Sequence, residues 1–166
     1  MASHKIRVLK AADLPHLLEL SRQANWNQTE ADWLRLLAQA PQSCFGIEAG
    51  GRIAATTTAV SYAKELAWVG MVLTAQSHRG HGMATALLNH TLAYLKGQEI
   101  GWAKLDATEQ GRPIYAKAGF ADECPVERWR RPAEPARPAR NRSPRRASPP
   151  RNRRRCRGWS RRWCAH

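Results

Sequence analysis

Residues 77–88 read SHRGHGMATALL, and this stretch decides the fold. Gly80 follows Arg79, Gly82 follows His81, and an apolar pattern with helical spacing begins directly after them. The preceding segment ELAWVGMVLT (65–74) has the character of a strand that is largely buried. A buried strand, a glycine turn and a helix in immediate succession predict a mixed α/β domain.

The start of the predicted helix is suited to an anion. The first N–H groups of a helix have no partner within it and carry the positive end of its dipole. Glycines let a ligand approach the backbone closely, and Arg79 can add a charge-assisted contact. The stretch therefore predicts a main-chain site for a pyrophosphate. A glycine turn that only caps the helix is the alternative that these residues leave open.

Three phosphate-binding motifs can be compared with this stretch. The P-loop pattern GxxxxGK[ST] is absent, and the dinucleotide pattern GxGxxG would require Gly or Ala where Thr85 stands. The pattern [R/Q]xxGx[G/A] is met by Arg79, Gly82 and Ala84. This third motif is short, so its meaning depends on a second one.

The second motif is LDATEQGRPIYAKAGF (105–120), a predicted strand followed by a helix that ends YxKxGF. With both motifs in this order and context, the sequence resembles the GNAT superfamily of acetyl-CoA-dependent N-acetyltransferases. The resemblance covers about residues 4–130.

The other predicted elements agree with this resemblance. Residues 77–88 are called the phosphate stretch from here on. Before it we predict a strand at KIRVLK (5–10) and a helix with Asp13 as N-cap. A second helix from near Thr29 follows, and then two strands joined at Gly50-Gly51. From the phosphate stretch onward we predict a helix over about 83–96, a strand at GWAKLDAT, a short helix at GRPIYAKAG and a last strand at FADECPVERW. The expected fold is α/β (α+β), a mixed and mostly antiparallel sheet of about six strands with about four helices.

The resemblance implies acetyl-CoA as the co-substrate and no metal. In the family, the strand before the phosphate loop pairs by main chain with the pantetheine arm, and the loop amides hold the pyrophosphate. Thr108 stands where relatives have an Asn that helps to bind CoA. The expected donor-binding residues are Val72, Leu73, Thr74, Arg79, Gly80, His81, Gly82, Met83, Ala84, Thr85 and Thr108.

The reaction that the resemblance implies is direct attack of a primary amine on the thioester in a ternary complex. Tyr115, four residues before Gly119, stands at the family's proton-donor position, and the alternative is an aromatic that only packs on the sheet. A phenol with a pKa of about 10 can protonate a thiolate with a pKa of about 8.5. Several relatives have a Glu near the position of Ala103, so that base is not available. Asp106 and Glu65 are the candidate bases, with proton loss to water as the alternative.

The acceptor remains open between a small-molecule amine and a peptide amine, and the resemblance also allows a homodimer. Trp26 and Trp33 are candidates for lining the acceptor pocket, although Trp33 stands at a core-facing position of its helix. Without the Glu equivalent at Ala103, a degenerate domain that binds CoA as a module is one alternative function. A nucleic-acid-associated protein that acts through an Arg-rich tail is the other.

The net charge of +14 comes from the end of the chain. Residues 1–124 hold 12 Lys and Arg against 11 Asp and Glu, whereas residues 125–166 hold 15 Arg and 2 Glu. We expect a GNAT domain over 1–130 and a disordered Arg/Pro-rich tail over 131–166. Such a composition also arises when a GC-rich reading frame is translated out of register. A tail of this kind can bind nucleic acid without sequence specificity, through phosphate contacts.

The cysteines indicate a reducing environment. Cys44, Cys124, Cys156 and Cys164 form no CxxC motif, and neither a secretory signal nor a membrane-spanning apolar run is evident. We therefore expect a cytoplasmic protein that does not enter membranes. Cys156, Cys164 and His166 match no zinc template.

Overall fold

A computed structural model describes residues 4–127 and 159–162 of the chain. The strands in this part are β1 (Ile6–Val8), β2 (Cys44–Ala49), β3 (Arg52–Tyr62), β4 (Leu66–Thr74), β5 (Trp102–Leu105) and β6 (Trp159–Arg162). The α-helices are α1 (Leu14–Gln23), α2 (Glu30–Gln39), α3 (Met83–Gly97) and α4 (Arg112–Lys117).

The strands form one sheet in the order in which they follow one another in the chain. Every neighbouring pair is antiparallel except β4 and β5, which are parallel because α3 crosses over between them. The prediction of a mixed, mostly antiparallel sheet with about six strands and four helices is confirmed.

Helices cover both faces of the sheet. One core lies against α1 and α2 and contains Leu17, Leu20, Trp33, Met71 and Leu73. The other lies against α3 and α4 and is built mainly from the apolar stripe of α3, with Leu88, Leu92, Leu95, Tyr115 and Phe120 among its members. The site described below lies where β4 and β5 meet these two layers.

A β-bulge interrupts β4. Thr56 of β3 lies opposite Leu73, whereas Thr58 lies opposite Gly70, so two steps along β3 match three along β4. Met71, in the bulge, has a φ of +49°, and its carbonyl accepts a 2.8 Å hydrogen bond from the Thr56 hydroxyl. This bond satisfies a buried backbone oxygen that the disturbed ladder would otherwise leave unpaired.

The bulge also reverses the side to which β4 side chains point. Val69 packs in the core against α3, but Met71 and Leu73 pack in the core against α1 and α2. A regular strand would place all three on the same face. One extra residue therefore shifts the second half of β4 into the other core.

Local sequence signals explain the helix starts. Thr29 is the N-cap of α2, where its hydroxyl accepts from the Asp32 N–H and the Asp32 carboxylate accepts from the Thr29 N–H. Asp13 precedes α1 as predicted, but its side chain does not cap that helix. The carboxylate instead accepts two hydrogen bonds from the Arg7 guanidinium, at 2.7 and 2.8 Å, and one from the Lys10 N–H. The guanidinium holds the pKa of Asp13 below its usual value.

The prediction of a last strand at FADECPVERW is wrong within the described residues. Ala121 makes only an isolated bridge, and residues 122–127 belong to no strand. The partner of β5 on that side is β6, in which Trp159 lies opposite Leu105. These four residues belong to the segment expected to be disordered, and the structure differs there because backbone pairing at an open strand edge needs no apolar pattern. Residues 128–158 and 163–166 lie outside the described part.

Candidate active site

The parallel strands β4 and β5 separate at the centre of the sheet. Leu66–Trp68 of β4 pair with Trp102–Lys104 of β5. Beyond these residues, β5 ends at Leu105, whereas β4 continues to Thr74. No strand of the described residues pairs with the β5-facing edge of β4 beyond that point. Main-chain N–H and C=O groups on this edge are therefore available to an extended ligand, as at a free sheet edge.

A cavity of about 760 Å³ lies at this separation. Its walls come from the end of β4, the start of α3, the β5–α4 loop with α4, and the end of α1. The lining residues are Gln23, Ala24, Asn25, Trp26, Val72, Leu73, Thr74, Gln76, His78, Arg79, Gly80, Gly82, Met83, Ala84, Thr85, Asp106, Thr108, Gln110, Gly111, Ile114 and Tyr115.

The phosphate stretch forms one end of this cavity. Gly80 and Gly82 have φ values of +80° and +76°, in the left-handed region that favours glycine. Gly82 is the N-cap of α3, so the free N–H groups of the first turn lie beside it. The Arg79 guanidinium donates to the Thr74 carbonyl at 3.4 Å, which ties this loop to the end of β4. The loop thus joins main-chain donors, the helix dipole and one cation at the cavity.

Tyr115 lies on the opposite wall, on α4. Its side chain is 7% exposed, and its ring makes an edge contact with Phe120 at a centroid distance of 6.2 Å. Burial raises the pKa of Tyr115 to about 12, since a phenolate would lose its hydration there. The group is therefore a neutral phenol at neutral pH, able to donate a proton into the cavity.

Most of the predicted site residues meet at this one cavity. Of the donor-binding set, all line it except His81, which is exposed and whose carbonyl accepts a hydrogen bond from the His4 ring. The expected contact between His81 and the donor stays a prediction. Tyr115, Asp106 and Thr108 also line the cavity.

Glu65 does not belong to this site, and the placement argues against its predicted role as a base. It stands in the turn before β4, at the end of the strand opposite Thr74, and its carbonyl accepts from the Trp102 N–H. Nine residues of strand, at about 3.3 Å each, separate it from the cavity end of β4. Ala103, in the position of the family's Glu, is fully buried in the core.

The end of α1 and the loop after it contribute residues 23–26 to the cavity wall, and of these the sequence analysis predicted only Trp26. Gln23 fixes this wall, because its Oε1 accepts from the Gln76 N–H at 3.0 Å and its Nε2 donates to Glu19 at 3.0 Å. Trp26 lines the cavity, whereas Trp33 is buried in the core, where its indole donates to the Ser21 hydroxyl. Glutamine carries no distinctive sequence signal, so only the tertiary contact identifies Gln23.

Two further features concern metals and membranes. In residues 4–127 and 159–162, no three His, Cys, Asp or Glu side chains gather as metal ligands, and Cys156, Cys164 and His166 lie outside that part. None of the described helices is long and apolar enough to cross a bilayer.

Several solved structures share this fold. Ard1 from Thermoplasma volcanium is 18% identical, with a TM-score of 0.69 over 74% of this chain and 86% of that one. Glucosamine-6-phosphate N-acetyltransferase from Arabidopsis thaliana is 18% identical, with a TM-score of 0.64 over 78% and 99%. Rv2747 from Mycobacterium tuberculosis, solved in complex with CoA and NLQ, is 17% identical, with a TM-score of 0.62 over 74% and 76%. At these identities the likeness establishes the fold alone.

The family follows from the sequence match. A search of the curated proteins finds no match to the chain. The model of the acetyltransferase (GNAT) family matches residues 9–120, which include both motifs and all of the described cavity. The chain belongs to the GNAT acetyltransferase family.

Changing Gly82 to alanine tests the phosphate loop. An added Cβ would meet nothing within 4 Å, so the cost is in the backbone, about 1–2 kcal/mol for a side chain at this φ. We expect the loop to relieve this strain by turning its amides, which should raise the Kd for CoA by about 10-fold. Isothermal titration calorimetry measures the effect.

Gly51→Ala is the matched control. Gly51 has a φ of +73° and equally open surroundings, but it lies in the β2–β3 hairpin. It should lose the same stability with an unchanged Kd for CoA. Equal Kd values for the two variants would contradict a phosphate-binding role for the loop.

Proposed function

We propose that the chain transfers an acetyl group from acetyl-CoA to a primary amine by direct attack within a ternary complex. The proposal rests on one observation, that three features of the structure line the same cavity. These are the free edge of β4, the start of α3 and the hydroxyl-bearing wall at Tyr115. Family membership supports acyl transfer in general, and the identity of the acceptor belongs to the proposal.

The donor is proposed to lie along the free edge of β4. Its pantetheine amides would pair with the main chain of Val72–Thr74, and its pyrophosphate would accept from the N–H groups of residues 82–85 and from Arg79. Thr108, exposed and on the cavity wall, can add a hydroxyl contact. This arrangement fits a long, extended ligand with an anionic middle.

The acceptor is proposed to enter from the α1 side, between Trp26 and the loop that carries Asp106. The lone pair of a neutral amine attacks the thioester carbonyl carbon, so that a C–N bond forms and the C–S bond breaks. The proton that nitrogen loses passes to Asp106 or to water. Holding both reactants in one cavity can supply on the order of 7–11 kcal/mol of the barrier reduction.

Tyr115 is proposed as the acid that protonates the departing thiolate. Because burial raises its pKa to about 12, it holds its proton at the pH at which a thiolate with a pKa of about 8.5 must be released. The phenolate that forms recovers a proton from solvent, which balances the one released by the amine. The products are the N-acetylated amine and CoA thiol.

Two measurements on the full chain test this function. Calorimetry should give binding of acetyl-CoA with a Kd below about 1 mM. Release of free thiol should then depend on an amine, in a panel of small-molecule amines, peptide α-amines and lysine side chains. Binding without amine-dependent thiol release by any of them would favour the alternative, a domain that binds CoA without catalysis.

The domain division remains part of the proposal, with residues 1–130 as the catalytic domain. The Arg-rich tail is proposed to bind nucleic acid without sequence specificity, through phosphate contacts. Removing residues 131–166 would also remove β6 from the edge of β5, so the truncated chain needs a stability measurement beside its binding assays.

A further inference from the structure

Gly111 makes an unusually close approach to the ring of Tyr115. A Cβ built on Gly111 would lie 2.8 Å from Cε2 and 3.4 Å from Cζ of Tyr115, and real Cβ atoms essentially never come within 3.0 Å of another heavy atom. Both ring atoms belong to the end that carries the hydroxyl. An alanine at this position would therefore collide with the reactive end of the side chain.

The backbone of Gly111 does not itself require glycine. Its φ of −81° and ψ of −27° are in the helical region, which any residue adopts. The space taken by the ring is thus the reason for glycine here. This distinguishes Gly111 from Gly80 and Gly82, where the backbone conformation is the reason.

Neither partner in this contact is free to move away. The Gly111 N–H donates to the Thr108 hydroxyl at 3.2 Å and to the Thr108 carbonyl at 3.0 Å, and the Gly111 carbonyl accepts from the Tyr115 N–H at 3.2 Å. Phe120 lies edge-on to the ring, with its own N–H bonded to the Tyr115 carbonyl at 3.1 Å. The ring is fixed by contacts at Gly111 and Phe120.

We infer that Gly111 is a positioning residue: by lacking a side chain, it sets where the Tyr115 hydroxyl lies in the cavity. The inference rests on the proposed function, because the hydroxyl matters only if it protonates the leaving thiolate. A displacement of the hydroxyl by a fraction of an ångström lowers the rate of proton transfer without removing the acid. Gly111→Ala should lower kcat by about 10- to 100-fold.

A double-mutant cycle separates this role from a merely structural one. In a Tyr115→Phe background the ring keeps its shape but has no proton to donate, so adding Gly111→Ala should change kcat by less than about twofold. An equal fold-loss in both backgrounds would overturn the inference. The Kd for acetyl-CoA, measured for each variant, corrects for any direct effect of the new methyl group on the cavity.

A second measurement needs no activity. The chain has three tyrosines, Tyr62, Tyr94 and Tyr115, so the protein labelled with 3-fluorotyrosine should give three assignable fluorine resonances. Gly111→Ala should shift the Tyr115 resonance and leave that of Tyr62 unchanged. Gly97→Ala is the matched control, because a Cβ on Gly97 meets nothing within 4 Å and its φ is not positive.

The double-mutant cycle and the fluorine spectra distinguish a failure of the inference from a failure of the proposed function. An unmoved Tyr115 resonance in Gly111→Ala would overturn the inference whatever the activity. Wild-type protein without any amine-dependent turnover would refute the proposed function, and the inferred catalytic importance of Gly111 with it. A shifted resonance together with a loss of kcat that vanishes in the Tyr115→Phe background would support both.

Discussion

Tyr115→Phe is expected to lower kcat by about 10²- to 10⁴-fold, the usual worth of one general acid. The phenol is the buried group that we propose as the acid, and phenylalanine keeps the ring, its contact with Phe120 and its packing against Gly111. The Kd for acetyl-CoA should therefore stay within about twofold of the wild-type value. Steady-state thiol release and calorimetry on the same preparation measure the two quantities.

Tyr94→Phe is the control for removing a tyrosine hydroxyl elsewhere. Tyr94 lies on α3, where its ring contacts Phe45 at 5.4 Å, and it does not line the cavity. This variant should keep the wild-type kcat. If Tyr115→Phe does the same, Tyr115 is a packing residue and the thiolate leaves without a protein acid.

The pH dependence follows from the same tyrosine. Activity should rise with pH as the acceptor amine loses its proton, because only the neutral amine can attack. Since burial raises the pKa of Tyr115 to about 12, its proton is lost only at much higher pH, and kcat/KM should not fall again between about pH 8 and about pH 10. A descending limb below about pH 10 in wild type that Tyr115→Phe abolishes would contradict this protonation state.

Trp33→Ala is expected to lower the free energy of unfolding by about 3–5 kcal/mol. The indole is fully buried between α1, α2 and the sheet, and its N–H donates to the Ser21 hydroxyl at 3.0 Å. Removing it leaves a large cavity and takes away the donor to the Ser21 hydroxyl, which keeps only its own 3.2 Å hydrogen bond to the Leu17 carbonyl. Urea denaturation followed by circular dichroism measures the loss.

Two further variants keep this expectation testable if the alanine variant does not fold. Trp33→Phe retains most of the volume but loses the hydrogen bond, so it should cost about 1–2 kcal/mol. Leu34→Ala removes a neighbouring side chain that is 40% exposed and should cost less than about 1 kcal/mol. A loss for Trp33→Ala no larger than that for Leu34→Ala would contradict the packing described for the α1–α2 core.

Helices and central strands were predictable because their signals are local. The capping pair Thr29 and Asp32, the Gly50-Gly51 turn and the apolar stripe of α3 each express one short-range rule of backbone or side-chain chemistry. The last strand was not predictable in this way, because the described part of FADECPVERW, residues 120–127, makes only a single isolated bridge. Strand pairing depends on which segment reaches the open edge of β5, and residues 159–162 do so.

The residues of the candidate site also fall into two groups, those that the sequence identified and those that only the structure identified. Arg79, Gly82, Ala84 and Tyr115 were identifiable because two motifs with known spacing name them, and the structure places all four on one cavity. Glu65 lies at the far end of β4 from the cavity, because nearness to a strand in sequence does not show which end of the strand faces the site. Gln23 lies outside both motifs, and Gly111 lies in the second motif without being one of its YxKxGF positions. The contacts that distinguish these two residues are visible only in the tertiary structure.

The sequence by itself predicted the order of the elements up to α4, the glycine loop at the start of α3 and the position of Tyr115 on α4. Each depends on residues within one or two turns of the chain. Only the tertiary structure decided that β4 carries a bulge at Met71, that its two halves pack in different cores, and that β5 ends early beside it. The reason is that every second residue of β4 is buried, which is the pattern of a regular strand, and only pairing with β3 shows where the register breaks.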